Sequence, residues 1–238
     1  VLELLEAQRR PVTKLMIAAD QDGSELLDRI EELCRARRIP VETVSRARLE
    51  REAGTESHQG VLAKARPLES LGLDELLAPQ GASHPFLLVC DGITDPHNLG
   101  SLLRSAECAG VTGVVLPRHR SARVTPTVTK VAAGAIEYLR FSMVAGIPSA
   151  LAELGQAGVE VVGLAGEARR SLYSLEASEL PLALVVGSEE KGMAALSRKR
   201  CTQLVSIPHA GTVSSLNASV AGAVAIFEVA RQRATRRR

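Results

Sequence analysis

The sequence predicts an α/β protein in two parts, a small mixed unit followed by a larger, mostly parallel sheet. Three observations carry this. Residues 1–66 alternate helical and extended patterns, residues 67–85 are interrupted by proline and glycine, and from Phe86 short unbroken apolar runs recur between helical stretches. Unbroken runs mark strands covered on both faces, as in a parallel sheet wrapped by helices. At 238 residues the chain exceeds the roughly 100–150 of a common single domain, in keeping with two.

Val1–Arg10 reads as a helix, and because the chain opens inside it, the natural start is expected upstream. KLMIAAD (14–20) reads as a strand. Ser24 is placed to cap a helix whose Leu26, Leu27, Ile30, Leu33 and Cys34 form one apolar stripe, with Glu31 and Arg35 paired outside. Pro40 stops it. VETVSR (41–46) is a second strand, 47–53 a short helix ended by Gly54, and GVLAKAR (60–66) a third strand. Residues 67–85, with proline at both ends, are the expected linker.

Six further strands are expected at 86–93, 113–117, 138–144, 159–165, 182–187 and 204–208, and a last helix at 217–232. That helix is apolar nearly all round. Leu216, Val220, Val224 and Phe227 make one stripe; Ala218, Ala221, Ala225 and Val229 make another. Two apolar faces suit a helix that covers the sheet on one side and another chain on the other.

Composition narrows the classes. With 45% apolar and 24% charged residues the chain is globular, and no apolar run nears the roughly 18 residues of a membrane helix, so a soluble protein without membrane contact is expected. Only five aromatics and no Trp argue against modules that stack bases on aromatic faces. Residues 1–80 carry 12 Lys+Arg against 15 Asp+Glu; residues 81–238 carry 17 against 12, five of them in the closing RQRATRRR. A polar tail of that kind is ordinarily solvated, so charge alone says little about a nucleic-acid partner. The four cysteines lack CxxC or zinc spacing, which points to a reducing, cytoplasmic compartment and no metal. The sequence has no charged-then-apolar leader with a small-residue cleavage site, so no secretion is expected.

No GxGxxG follows any strand, so a dinucleotide fold has no fingerprint. Gly187 and Gly192 have phosphate-loop spacing, but Met193 and Ala194 replace the Lys-Ser/Thr pair, and Glu189 and Glu190 would repel a triphosphate. Three strand ends crowd with polar residues, the place where parallel sheets bind ligands. In 91–110, Pro96 and Asn98 mark a helix start, Leu99, Leu102, Leu103 and Ala106 form its buried stripe, and Arg104 falls on the open face. That placement alone favours a solvated surface arginine over a phosphate or substrate clamp. In 182–193, Gly187 serves either a turn or close approach to a ligand. In 204–233, Ser214, Ser215 and Asn217 precede the small-residue helix; any could cap it, but three exceed what a cap requires.

Taken together, NLGSLLRSAECAG (98–110), VVGSEEKG (185–192) and SIPHAGTVSSLNASVA (206–221) resemble the motifs of the SpoU family of RNA ribose methyltransferases, within the SPOUT class. HQGVLA (58–63) and its surroundings resemble the L30e-like RNA-binding domain of the subgroup that methylates a 23S rRNA guanosine. The resemblance covers nearly the whole chain. It implies a trefoil-knotted C-terminal domain over 86–238, a substrate-binding domain over 1–66, S-adenosylmethionine as cofactor, ribosomal RNA as substrate and a homodimer. Gly187, Ile207 and Leu216 would hold the cofactor, and Asn98, Arg104, Glu189, Ser215 and Asn217 match the family's polar set.

The implied reaction is in-line transfer of the sulfonium methyl to a ribose 2′-hydroxyl, the O–C bond forming as the C–S bond breaks and the thioether leaves, which needs alignment and loss of the hydroxyl proton. The family gives the proton's removal to the arginine matched by Arg104. A guanidinium has five donors and no acceptor, so Arg104 is expected mainly to stabilise the forming alkoxide and an adjacent phosphate. Asn98, Ser215 and Asn217 would position it and the ribose, and Glu189 would orient its loop. The favoured target is a guanosine in the peptidyl-transferase P loop. Alternatives are a tRNA or resistance-type rRNA 2′-O-methyltransferase, or an RNA-binding assembly factor without catalysis.

Overall fold

The computed structural model describes residues 1–55, 58–79, 84–119, 122, 124–177, 180–212 and 215–235. The chain divides into two compact units, Val1–Glu69 and Ser70–Arg238.

In unit 1, α1 (Leu2–Ala7) leads through a left-handed Gln8 to β1 (Val12–Ala18), α2 (Glu25–Ala36), β2 (Val41–Val44), α3 (Arg46–Ala53) and β3 (Val61–Ala65). The sheet order is β2-β1-β3, with β1 parallel to β2 and antiparallel to β3. Leu15 to Ala18 are all buried because β1 is covered twice: Leu15 and Ile17 meet Leu5, Leu27 and Ile30, while Met16 and Ala18 meet Val44 and Leu49. β1 begins two residues earlier than the sequence reading because Val12 pairs with Ala65 of β3. Ser24 caps α2 as expected, its Oγ accepting from Leu27 N at 3.2 Å. Leu26, however, is exposed, and the ion pair on the outer face joins Arg29 to Glu32 at 3.0 Å rather than Glu31 to Arg35.

The expected linker is in part structured. Within 67–85, Ser70 bridges to Phe141 and α4 (Leu73–Leu77) buries Leu73 and Leu76 against Leu87, Val115 and Leu151. Its prolines interrupt the chain, but its leucines belong to the core of unit 2, which therefore begins at Ser70.

Unit 2 continues with β4 (Phe86–Asp91), α5 (Pro96–Cys108), β5 (Gly113–Pro117), α6 (Pro126–Val131), β6 (Phe141–Val144), α7 (Ile147–Gln156), β7 (Glu160–Leu164), β8 (Arg170–Ser171), β9 (Leu182–Gly187), α8 (Ala195–Arg200), β10 (Gln203–Ser206) and α9 (Ala218–Thr235). The seven strands lie in the order β6-β5-β4-β9-β7-β10-β8, and every pairing is parallel. The six expected strands are present; the two-residue edge strand β8 is additional, too short to leave a pattern in the sequence.

Both sheet faces are covered, as the unbroken apolar runs require. Leu87 and Val89 face α4 and α7, with Leu151 and Leu154 fully buried between them. On the other face α5 and α9 pack together. A Cβ on Gly222 would sit 2.3 Å from Leu102 Cδ2, so it is α5 that the small residues of α9 admit. The alanine stripe is the buried one; on the other stripe Val220 is 48% and Phe227 49% exposed. Among the described residues no helix is long and apolar enough to cross a membrane.

Candidate active site

Three loops leave the carboxyl ends of unit 2 strands. The first follows β4 and enters α5. Asp95, not Asn98, caps this helix: its carboxylate oxygens accept from His97 N and Asn98 N at 3.1 and 3.3 Å, and Pro96 takes the first turn, where no N–H is needed. Asn98 is thereby released, and its Nδ2 donates to Glu189 Oε1 across 91 residues of sequence. Leu99, Leu102, Leu103 and Ala106 are fully buried, leaving Arg104 on the exposed face. At about 1.5 Å per residue, Arg104 lies roughly 9 Å further along the helix than Asn98.

The second loop follows β9 and folds back on itself. Ser188 and Gly192 exchange backbone hydrogen bonds of 3.1 and 2.9 Å, Ser188 Oγ accepts from Lys191 N at 3.3 Å, and Asp91 Oδ2 accepts from Ala194 N at 2.8 Å. This fold-back decides what Gly187 is for. A Cβ there would lie 2.2 Å from the Gly192 carbonyl carbon and from Met193 N, backbone atoms with no room to step aside.

The third loop follows β10 and ends at α9. Asn217 is the cap: its Oδ1 accepts from Ser219 N at 2.9 Å and Val220 N at 3.3 Å. Ser214 lies outside the described residues; Ser215 and Leu216 are exposed just ahead of the cap.

Between the second and third loops and the end of β7 lies a cleft of about 580 Å³, within the 300–1,000 Å³ range of small-molecule sites. Gly187, Glu189, Ile207, Ser215 and Leu216 line it, five of the eight residues singled out in the sequence. Asn98 is tied to it through Glu189, whereas Arg104 and Asn217 line no part of it. A second hollow of about 350 Å³ lies on the other side of the folded-back loop, lined by Asp91, Gly92, Thr94 and Glu190; Ser188, Glu189, Lys191 and Gly192 wall both.

The sequence reading missed Glu167 and Arg198, an ion pair on the cleft wall. A backbone hydrogen bond, then Arg198, holds the Glu167 carboxyl below its usual range. The signal was present: AGEARR follows an apolar run, as at the other strand ends. The cysteines take no part in the cleft lining. Burial pushes the Cys90 thiol up to about 12 and Cys201 to about 11, so both stay protonated at neutral pH.

This architecture has known relatives. Residues 85–227 match the SpoU rRNA Methylase family, and residues 1–71 match the RNA 2'-O ribose methyltransferase substrate binding domain. The 23S rRNA (guanosine-2'-O-)-methyltransferase RlmB of Pasteurella multocida is 47% identical over 199 residues, covering 82% of this chain and 80% of its own. Its counterpart of the same name from Pseudomonas putida is 44% identical over 241 residues, covering 100% and 95%. Among solved structures, the SpoU methyltransferase AviRb from Streptomyces viridochromogenes, in complex with AdoMet, shares the fold with a TM-score of 0.82 at 23% identity, over 99% of this chain and 89% of that one. With its strand-end loops gathered at one cleft and both halves matched, the chain belongs to the SpoU rRNA methylase family.

Proposed function

We propose that the protein methylates the ribose 2′-hydroxyl of a guanosine in 23S rRNA, in the peptidyl-transferase P loop, with S-adenosylmethionine as methyl donor. The observation that carries this is the single cleft in which Gly187, Glu189, Ile207, Ser215 and Leu216 meet, with Asn98 fastened to Glu189 at its edge.

The residues present suit the cofactor. Leu164, Val186, Ile207 and Leu216 offer apolar wall to a flat base, and the Glu167 and Glu189 carboxylates offer negative charge to a sulfonium. Gly187, Ile207 and Leu216 would hold it, largely through backbone groups. When bound, S-adenosylmethionine would supply a methyl group activated for in-line transfer to an oxygen, with S-adenosylhomocysteine as the leaving thioether.

The chain's own groups then have separate tasks. Asn98 holds Glu189 and with it the folded-back loop. Ser215 lies where it can orient the ribose, while Asn217 fixes the entry to α9. Arg104 stabilises the forming alkoxide and the neighbouring phosphate, and the hydroxyl proton departs to that phosphate or to water, since a guanidinium accepts none. Because Arg104 stands outside the cleft of its own chain, this reading places it in service to a second copy. Exposed Val220 and Phe227 on α9, with half-buried Val224 between them, form the surface proposed to pair the two copies, in the cytoplasm, with the C-terminal segment threaded as a trefoil knot.

The test is incubation with methyl-labelled S-adenosylmethionine and 23S rRNA, followed by mapping of alkali-resistant linkages. One 2′-O-methylguanosine is expected, and Arg104→Ala should abolish it while cofactor binding persists. Binding of RNA with no methyl incorporation would overturn the reading. A solution mass near twice 25.3 kDa checks the pairing.

A further inference from the structure

Five cations of unit 1 stand in ion pairs along its flanks. Lys14 and Arg48 pair with Glu42, Arg46 with Asp20, Lys64 with Glu52, and Arg29 with Glu32. Of the seven other arginines, Arg51 lies on α3, and six, Arg9, Arg10, Arg35, Arg37, Arg38 and Arg66, gather at the end of the sheet where β1 begins.

Topology brings them there from three stretches. α1 runs into Arg9 and Arg10 directly ahead of β1. α2, the crossover between parallel strands, returns to the start of β1 and delivers Arg35, Arg37 and Arg38. Antiparallel β3 ends opposite Val12 and delivers Arg66. Hydrogen bonds fix the meeting: Arg10 Nη1 donates to Arg66 O at 2.9 Å, Arg66 N to Pro11 O at 3.0 Å, and the Arg37 guanidinium to Leu5 O of α1. Arg9, Arg35, Arg38 and Arg66 are exposed. The far end of β1 carries Asp20, Asp22 and Glu25 instead.

Residues 1–69 contain 12 Lys+Arg and 13 Asp+Glu, so the cluster is polarisation rather than excess charge. Favourable ends for helix dipoles account for Arg35 and Arg37, but not for Arg66 at the end of a strand. The planar guanidinium fork matches phosphate oxygens and desolvates more easily than an ammonium. No Phe, Tyr or Trp occurs in residues 1–69, so this surface has nothing on which to stack a base. Its chemistry suits a phosphate backbone.

We infer that this arginine pole docks the sugar-phosphate backbone of the RNA substrate rather than any of its bases. The inference rests on the RNA-methyltransferase reading above and adds to it where the substrate-binding unit grips.

The experiment uses the full chain and a labelled 23S rRNA fragment carrying the target guanosine, with binding followed by anisotropy across a salt series. The variant Arg35→Gln/Arg38→Gln/Arg66→Gln is compared with Lys14→Gln/Arg48→Gln/Lys64→Gln, which removes the same charge elsewhere on the unit. The pole variant should lose affinity about tenfold and flatten the salt slope by about two, at roughly 0.7–0.9 per phosphate contact. The control should stay near wild type, and both should keep the wild-type melting temperature and cofactor affinity. Equal losses in the two variants, or an unchanged pole variant beside a wild type that methylates RNA, would overturn the inference. So would tighter capture of the wild type by phosphatidylserine vesicles than by RNA. A wild type that neither binds nor methylates RNA removes the underlying reading as well, which sets that failure apart.

Discussion

The two units place their polar groups in opposite ways. In unit 2, β4 and β9 run side by side with both faces covered, and Phe86 to Cys90 and Leu182 to Val186 are buried without a break. Polar side chains are expelled to the strand ends, and the cleft forms there. In unit 1 only β1 is enclosed; β2 and β3 are half open, and the charges lie along the flanks and at the two poles. A sheet buried on both sides can act only at its ends, whereas a small sheet can act across its surface.

The largest break is expected from Gly187→Ala. The added carbon strikes backbone, so the folded-back loop must open, at a cost of roughly 2–4 kcal/mol. Calorimetric titration with S-adenosylmethionine should show affinity reduced by roughly thirty- to a thousandfold, while hydrogen exchange in residues 1–69 is unchanged. Affinity within twofold of wild type would sink the argument.

Next, paired truncations measure how the two cores differ. Leu88→Ala removes a fully buried side chain from the centre of the large sheet and should cost roughly 2–5 kcal/mol in urea unfolding. Val44→Ala, at the edge of the small sheet, should cost roughly half as much or less. Equal losses would mean that both sheets are enclosed alike.

Arg233→Ala tests how α9 is held to the start of the large sheet. Its guanidinium donates to Ala177 O, His84 O, Pro85 O and Leu180 O at 2.8–3.3 Å and lies 5.0 Å over the Phe86 ring. Loss of about 2 kcal/mol is expected, with faster amide exchange confined to the end of α9 and residues 84–86. A uniform effect across unit 2 would contradict a local clasp.

The smallest effect is one of pH. The buried Glu228 carboxylate accepts from Arg231 at 2.7 and 2.8 Å and from Gln232 at 2.8 Å, and Arg231 foremost holds its pKa below the ordinary 4.5. The unfolded chain therefore takes up this proton first as pH falls. The contribution is whole above about pH 4.5 and fades as pH drops through the depressed value; it is about 1 kcal/mol, because Arg231 is largely exposed. The stability gap between wild type and Glu228→Gln should thus narrow from pH 7 to pH 3. A constant gap would argue that Glu228 acts by shape alone.

How much was legible follows the same division. The strands of unit 2 were plain because enclosure demands unbroken apolar runs, and the stripe on α5 was plain because one helix face packs inward. The linker was misjudged because Leu73 and Leu76 belong to a core built by residues far along the chain. Pro96 and Asn98 mark the start of α5 in the sequence, but that Asp95 caps it and leaves Asn98 for Glu189 depends on a residue 91 positions away. The role of Gly187 was half seen: close approach was legible, but not that the loop's own backbone is what approaches.

One feature of the large sheet bears on how the chain is made. Phe86 and Leu182 are direct partners at its centre, yet 96 residues separate them. At a synthesis rate of roughly 5–20 residues per second, β4 waits about 5–20 seconds on the ribosome before its neighbour emerges. Pairing so remote closes late and slowly. The apolar edge stays bare in that interval, whereas β1, β2 and β3 of unit 1 can already pair.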